Sequence, residues 1–267
     1  MRAVAALLLV AAPAAAEEAT TELRPLCASR PGLGTPPCVL DKGHLQVEIG
    51  IFSTQRDLEA DVGTSIEALL STEVFWGIDG VNQVSLVLAP FNTFTVTDQQ
   101  SGDRDRATGV GDMALRWRHS LRNPDGSGFS VAVEALLNLA IGNNRVRTNG
   151  WGAGLLVPAS LALNDKWSLI AAPGFVWSQN LTSPGQHFDY TGSFGVTRSA
   201  GAFNITLEGG YTRDGEPNSG EESATMAVSL AWQPPHNADF QLDAGFSWAL
   251  NPAAPDLQAY FGFVQRF

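Results

Sequence analysis

Few side chains in this sequence are suited to acid–base chemistry. Only four histidines occur, and His187 alone lies near a predicted external loop, with a carboxylate (Asp189) two residues on and a hydroxyl (Ser193) further along the same face. A hydrolytic site needs a histidine within hydrogen-bond reach of its nucleophile. Neighbours at positions i and i+2 of a strand are common, so we interpret His187 as an ordinary histidine at the edge of a loop. We expect the chain not to be an enzyme, with a hydrolase as the least favoured alternative.

A larger set of charged and amide side chains alternates with apolar ones. In residues 109–120, Asp112, Arg116 and Arg118 share one parity (even-numbered positions), whereas Leu115 and Trp117 share the other (odd-numbered positions). Side chains of this kind can line a polar path, as charged rings do in pores, or they can pair with one another and fill the space. The candidate pathway residues are Glu48, Glu67, Glu73, Asp112, Arg116, Arg118, Glu134, Asn138, Asp189, Glu208 and Asp243, with Arg266 at one end.

The two cysteines, Cys27 and Cys38, lie in a stretch rich in proline and glycine. A metal site would need two further ligands, and only His44 is near in sequence. In an exported protein, a disulfide that closes a small loop is the simpler interpretation. We therefore predict a Cys27–Cys38 disulfide, no metal site and no cofactor.

The elements that carry these side chains are strands, because apolar residues recur at every second position. From Phe203 to Tyr211, for example, Phe203, Ile205, Leu207 and Tyr211 alternate with polar residues or glycine. About twelve such strands are predicted. Their predicted ranges are 44–56, 61–77, 83–97, 108–120, 128–142, 150–163, 166–180, 187–200, 202–214, 222–234, 239–251 and 256–267.

The length and composition of these strands predict an all-β fold, a transmembrane antiparallel β-barrel. Many exceed the roughly five or six residues typical of soluble proteins and match the roughly nine to eleven that a tilted membrane strand needs. A charge facing lipid costs a few kcal/mol, so the polar parity is expected to face the lumen. Mostly tight turns alternate with longer polar links, as expected for periplasmic turns and external loops. Most tryptophans lie toward strand ends, typical of interfacial girdles.

The chain ends add two predictions. Residues 1–16 have the layout of a cleavable signal peptide, in which Arg2 precedes a short apolar run and small residues. The last strand ends at the aromatic Phe267, which predicts recognition by the barrel-assembly machinery and a location in the bacterial outer membrane, with its lipids as partners. We divide the remainder into residues 17–43, either a periplasmic segment or a plug, and a barrel over 44–267. The formal net charge of −11 and the lack of basic clusters argue against nucleic-acid binding.

Two segments resemble a known family. The first combines Cys27, Arg30-Pro31, Pro37-Cys38, Gly43, Gln46 and Glu48. The second is the run from Thr108 to Arg116, which begins Thr-Gly-Val-Gly-Asp. Both resemble the outer-membrane proteins named for the MetA pathway of phenol degradation. The resemblance implies a barrel that moves small molecules, with aromatic or otherwise hydrophobic ones among them. It carries over no substrate-binding residues, and we interpret Gly109, Gly111 and Asp112 as structural.

The sequence thus favours a channel or transporter for small solutes. The main alternative is a structural or adhesion barrel whose lumen is filled.

Overall fold

A computed structural model describes residues 23–146, 150–180, 183–217 and 220–267. The predicted signal peptide lies outside the described residues. Within them, no helix is long and apolar enough to cross a membrane. One antiparallel sheet contains β1 (Leu45–Glu59), β2 (Val62–Gly77), β3 (Asn82–Leu88), β4 (Phe91–Asp98), β5 (Arg104–Gly109), β6 (Met113–Arg122), β7 (Phe129–Leu139), β8 (Gly152–Leu156), β9 (Ala159–Asn164), β10 (Trp167–Ala171), β11 (Gly174–Gln179), β12 (Gln186–Ala200), β13 (Phe203–Arg213), β14 (Glu222–Trp232), β15 (Phe240–Ala249) and β16 (Leu257–Arg266).

The sheet closes on itself, because β1 pairs with both β2 and β16. Gln46 lies opposite Arg266, and Arg56 lies opposite Leu257. In four cases, two consecutive elements are the halves of one barrel strand: β3 with β4, β5 with β6, β8 with β9 and β10 with β11. The barrel therefore has 12 strands, as predicted. Closure leaves no strand edge exposed to lipid, which a membrane barrel requires.

The side chains are distributed in the reverse of a soluble protein. Large apolar residues are exposed on the outer face, among them Leu45, Trp76, Trp117, Phe129, Leu161, Trp167, Ile205, Leu207, Leu230, Phe246 and Phe261. Polar residues of the opposite parity are buried, among them Gln46, Glu48, Gln83, Ser85, Arg118, Ser130, Glu134, Glu208, Gln241 and Asp243. This arrangement confirms the predicted barrel and gives it an apolar surface suited to lipid.

A transverse irregularity, which we call the crease, crosses four neighbouring barrel strands at Ile51, Leu70, Pro90 and Gly111. The flanking pairs Gly50–Ser71 and Phe52–Leu69 show that Ile51 and Leu70 lie opposite each other. β2 pairs with β3 and β4 in a register that places Pro90 opposite Leu70. β3 and β4 pair with β6 and β5 in a register that places Gly111 opposite Pro90. Leu70 has a φ of 56°, and Pro90 cannot donate to the ladder.

The crease reverses which parity faces inward. On β1, Gly50 faces inward, since it lies against the Arg30 guanidinium. Ser53, three residues later, also faces inward, since it pairs with the half-buried Tyr260. On β2, Glu73 faces inward, but Glu67 pairs with Thr54 and shares the face of the exposed Leu69. The expectation that Glu67 faces the lumen is therefore wrong. A sequence pattern that continues unbroken through Leu70 hides the change of face.

Which residues of β13 face lipid and which face the lumen can be tested at two adjacent positions. We expect Leu207→Arg to lower the free energy of unfolding in lipid vesicles by about 2–4 kcal/mol, because it places a charge in hydrocarbon. The control is Thr206→Arg, since Thr206 is adjacent and lines a luminal cavity. Urea titrations of the two variants should differ clearly, and an equal loss would contradict the assigned faces.

The crease can be tested at Gly111, where an added Cβ would lie 2.9 Å from Ala89 Cβ and against the Asn92 amide. We expect Gly111→Ala to destabilise the barrel by about 1–3 kcal/mol, the usual cost of overpacking. Gly209→Ala is the control, because its Cβ would meet nothing closer than 3.9 Å. Thermal unfolding followed by circular dichroism measures both; a neutral Gly111→Ala would show that the crease tolerates a side chain.

Candidate functional site

One side of the lumen carries a ladder of ion pairs. Arg118 Nη2 lies 2.7 Å from Glu134 Oε2, and both side chains are almost fully buried. Arg116 bridges from Glu134 (3.4 Å) toward Glu73 (3.8 Å). Ser85 Oγ donates to Glu73 at 2.6 Å. These inward positions of β2, β3, β6 and β7 neutralise one another across the wall, so the barrel itself supplies their counter-charges.

On the other side of the lumen, barrel carboxylates face the N-terminal segment, which we define as residues 23–43. Cys27 and Cys38 form the predicted disulfide in this segment, with Cα atoms 5.8 Å apart. The carboxylate of Glu48, on β1, accepts hydrogen bonds from the backbone N–H groups of Ser29 (2.8 Å) and Arg30 (3.1 Å). A buried barrel carboxylate is thereby satisfied by backbone amides of the N-terminal segment.

Glu208, on β13, repeats this contact at the tip of the disulfide loop. Its two carboxylate oxygens accept from the N–H groups of Leu33 (2.9 Å) and Gly34 (3.1 Å). Gly32 precedes them with a φ of +133°, and an added Cβ there would lie 2.5 Å from Glu208 Oε2. A glycine at this position lets the backbone approach the carboxylate.

Asp243, on β15, holds the same loop through an ion pair. The Arg30 guanidinium donates to both of its oxygens, from Nη2 at 2.9 Å and from Nε at 3.3 Å. The Asp243 side chain is 0% exposed. Gln241 Nε2 donates to the backbone oxygen of Arg30 at 2.8 Å. A bidentate pair of this kind fixes both position and orientation, so Arg30 is held from two neighbouring positions of β15.

Two contacting residues, Gln46 and Gln83, were not among the predicted candidates. Both are hydrogen-bond partners of the backbone of the N-terminal segment: Gln46 donates to Cys27 O (2.7 Å), and Gln83 accepts from Leu40 N (2.9 Å). The predicted Arg118 and Arg266 make the same kind of contact, to Cys38 O (3.0 Å) and Arg24 O (2.7 Å). For Gln46, a signal existed, since it lies in the first family-like segment together with Glu48. Gln83 sits at an inward position of a regular strand, without a local motif.

The remaining predicted residues lie apart from the N-terminal segment. Asp112 lies next to the crease, where Oδ1 accepts from the N–H of Gly142 at 3.0 Å. Asn138 is half-buried on the inward parity of β7. Asp189 lies near the end of the barrel away from the termini and accepts from Ser178 Oγ at 2.9 Å. The candidates therefore form no single site but are spread along the lumen.

His187 is enclosed by polar groups. Its Nδ1 lies 2.8 Å from Asn180 Oδ1, and its Nε2 lies 3.1 Å from Asp189 and 3.4 Å from Asp214. The potential ligand atoms of His187, Asp189 and Asp214 lie within 4.8 Å of one another, so a divalent cation could use them. Hydrogen bonds between the histidine and the carboxylates account for the same geometry. None of these neighbours is a hydroxyl or thiol nucleophile.

Space remains between the N-terminal segment and the barrel wall. A cavity of about 290 Å³ lies beside Leu33 and Gly34 and is lined by Arg116, Ser193 and Thr225. A second of about 290 Å³ adjoins the first at Ala172 and Ser193 and extends to Thr206 and Gln241. A third of about 300 Å³ is lined by Tyr260 and Ile66. The lumen is thus partly filled, and both polar and apolar side chains line what is left.

The ladder of ion pairs yields a stability prediction. We expect Glu134→Gln to cost about 3–5 kcal/mol, because the buried Arg118 loses its counter-charge. Glu222→Gln is the control, since Glu222 lies 3.9 Å from Arg213 and both side chains are mostly exposed; its loss should be under about 1 kcal/mol. Urea unfolding of the refolded protein gives both values. A similar small cost for both would contradict the burial of the ladder.

Comparisons with known proteins support the fold. The NanC porin aligns with a TM-score of 0.50 and 12% identity, over 83% of this chain and 98% of that one. The KdgM porin in complex with disordered oligogalacturonate gives 0.51 and 10%, over 83% and 99%. The transport unit of the autotransporter AIDA-I from Escherichia coli gives 0.51 and 6%, over 84% and 90%. At such low identity, these likenesses establish the architecture alone.

No curated protein shows significant sequence similarity to the chain. The apolar outer face and the closed barrel of outer-membrane type place the protein in the bacterial outer membrane. The profile of the family described as "Putative MetA-pathway of phenol degradation" matches residues 28–267. The match covers the second of the two segments that resemble that family, all of the first except Cys27, and nearly the whole described chain. The chain therefore belongs to this family of outer-membrane β-barrels.

Proposed function

We propose that the protein is an outer-membrane channel for small solutes, with the N-terminal segment acting as a plug that partly fills the lumen. The observation that carries this proposal is the partly filled lumen, in which cavities of about 290–300 Å³ lie on two sides of the segment. A barrel built only as a scaffold would need no such space. In this proposal, residues 17–43 are the plug and residues 44–267 the conducting barrel.

The inward side chains divide into two roles. Glu48, Glu208 and Asp243 hold the plug, while Arg116 and Glu73 set the charge along the free space beside it. Withdrawal of the plug would take the backbone amides away from Glu48 and Glu208 and the Arg30 guanidinium away from Asp243, and a buried charge that loses its donors or counter-charge is costly. Opening therefore requires water to enter the lumen as the segment leaves. The other pathway residues in this proposal are Asp112, Arg118, Glu134, Asn138 and Asp189.

The solutes proposed are aromatic or otherwise hydrophobic small molecules. The family description, which refers to phenol degradation, supports this class. A feature of the lumen supports it too. Beyond the crease, the half-buried Ile66, Phe94 and Val96 occupy the inward parity of β2 and β4. An apolar lining at one end of a polar lumen would favour entry of solutes with an apolar body.

A structural or adhesion barrel with a filled lumen is the second candidate. The ion pairs of the ladder and the hydrogen bonds to the N-terminal segment favour it, because both occupy the interior. A hydrolase has less support, since His187 contacts Asn180, Asp189 and Asp214 rather than a nucleophile. In the proposal, the exposed C-terminal Phe267, whose N–H donates to Leu45 O, serves recognition by the barrel-assembly machinery.

Permeation can be measured by swelling of liposomes that contain the full chain, with pentose, disaccharide and benzoate as graded solutes. We expect the smaller solutes to enter and the disaccharide to be excluded. Deleting residues 17–41 should raise the rate severalfold and admit the disaccharide. Arg30→Ala should shift permeation the same way, because it removes the ion pair to Asp243 while the chain stays intact. Arg145→Ala is the control, as it breaks an exposed pair with Asp105.

Each outcome separates the alternatives. If neither the full chain nor the plug variants admit any solute, the channel proposal fails and the filled scaffold is favoured. If the full chain is permeable and both variants leave its rate unchanged, the channel stands and the plug is wrong. Faster entry of benzoate than of the pentose, which is similar in size, supports the aromatic solute class. Equal entry would contradict it.

A further inference from the structure

The outer face changes character beyond the crease. Below it, toward the chain termini, the outward residues are apolar. Just above it stand Phe52, Leu69 and Phe91, each at least 39% exposed. Farther along the same face, the outward residues are threonine, serine, glycine, glutamate and arginine, apart from the exposed Leu58 on β1. This polar outer face belongs to β1, β2, β4 and β5, at the end of the barrel away from the termini.

The strand register arranges these residues in transverse rows. One row runs Arg56, Ser65, Thr95, Arg106 across the four strands. The next runs Leu58, Gly63, Thr97, Arg104. In both rows, the two middle strands carry small residues, and the long side chains stand on the outer strands. Neighbouring strands are about 4.8 Å apart, so a row spans roughly 14 Å.

This arrangement forms a trough. A cavity of about 670 Å³ is lined by the residues of both rows, together with Glu67 and Gln99. Its floor is made of glycine and hydroxyl side chains, and exposed guanidinium groups form its sides. A floor of small residues between long arginines is what makes the outer surface concave here.

The charges of the trough are only partly balanced. Within the described part of the chain, Arg56, Arg104 and Arg106 have no carboxylate within ion-pair distance. Three acids also line the cavity: Glu67, Asp57 and Asp256. Asp256 already accepts from the N–H of Leu58 at 2.9 Å, and Asp57 is on the inward parity. The outward face thus offers three guanidinium groups against Glu67.

The trough lies at the edge of the lipid-facing surface. Successive outward residues on a strand are about 6.6–6.8 Å apart, so the row of Arg56 lies about 13 Å along the strand from Phe52. In a barrel with its termini on the periplasmic side, this is the level of the outer-leaflet headgroups. The headgroups of the outer leaflet are phosphorylated glycolipids, which combine anionic groups with sugar hydroxyls.

We propose that this trough binds the phosphorylated headgroup of an outer-leaflet glycolipid, lipopolysaccharide. Arg56 on one side and Arg104 and Arg106 on the other contact phosphate, since guanidinium groups bind it by paired hydrogen bonds. Ser65, Thr95 and Thr97 offer hydroxyls to the sugar between them. The acyl chains continue down the same face onto Phe52, Leu69 and Phe91. The site is independent of solute permeation through the lumen.

Binding can be measured by native mass spectrometry or fluorescence titration of the full chain in detergent. The probe is a rough lipopolysaccharide that lacks O-antigen, compared with the same lipid after dephosphorylation. We expect the combined variant Arg56→Gln, Arg104→Gln, Arg106→Gln to weaken binding about tenfold or more, as loss of one hydrogen bond to a charged group already costs about that factor. The control variant Arg122→Gln, Arg198→Gln, Arg213→Gln removes the same net charge from exposed positions elsewhere and should bind normally.

The trough residues are exposed, so the variants should fold, which a heat-modifiability gel confirms. Affinity that falls with dephosphorylation and with the trough variant alone supports the proposal. Equal binding of the phosphorylated and dephosphorylated lipids would overturn it, as would equal weakening by the control variant. Inorganic phosphate, added at the concentration of lipid phosphate, should compete poorly. Complete displacement by it would assign the trough to free phosphate and overturn the lipid assignment.

Discussion

The structure depends on one constraint: within hydrocarbon, each backbone N–H and C=O must be paired inside the protein. A closed antiparallel sheet meets it, and the pairing of β1 with β16 completes the closure. Because side chains alternate between two faces, contact with lipid on one face assigns every second residue to the lumen. The charged residues are therefore concentrated in the interior, where they must find partners among themselves or in another segment.

The lumen meets this demand in two ways. The Arg118–Glu134 pair and its neighbours balance charge within the wall. Glu208 and Asp243, by contrast, depend on the N-terminal segment, whose backbone amides and Arg30 side chain reach them. A segment held by many hydrogen bonds to a wall is firmly placed, yet water can replace each bond when the lumen hydrates. The same contacts can therefore hold a plug in place and allow it to be released.

Much of this architecture was predictable from local pattern. Alternation located the strands, and the cysteine spacing predicted the disulfide. The crease was not predictable, because Leu70 gives no sign of its positive φ, and an alternation carried through it placed Glu67 on the wrong face. The partners of the buried carboxylates were not predictable either. Asp243 binds Arg30 across nearly the whole chain, and such contacts exist only once the barrel has closed.

The central claim is that the N-terminal segment is bound to inward carboxylates of the barrel wall. Hydrogen–deuterium exchange of the backbone amides of Ser29, Arg30, Leu33 and Gly34, in the full chain reconstituted in lipid, tests it most directly. Amides that donate to the buried Glu48 and Glu208 should exchange at least about a hundredfold more slowly than those of an unstructured chain. Exchange at the unstructured rate in all four would contradict the claim.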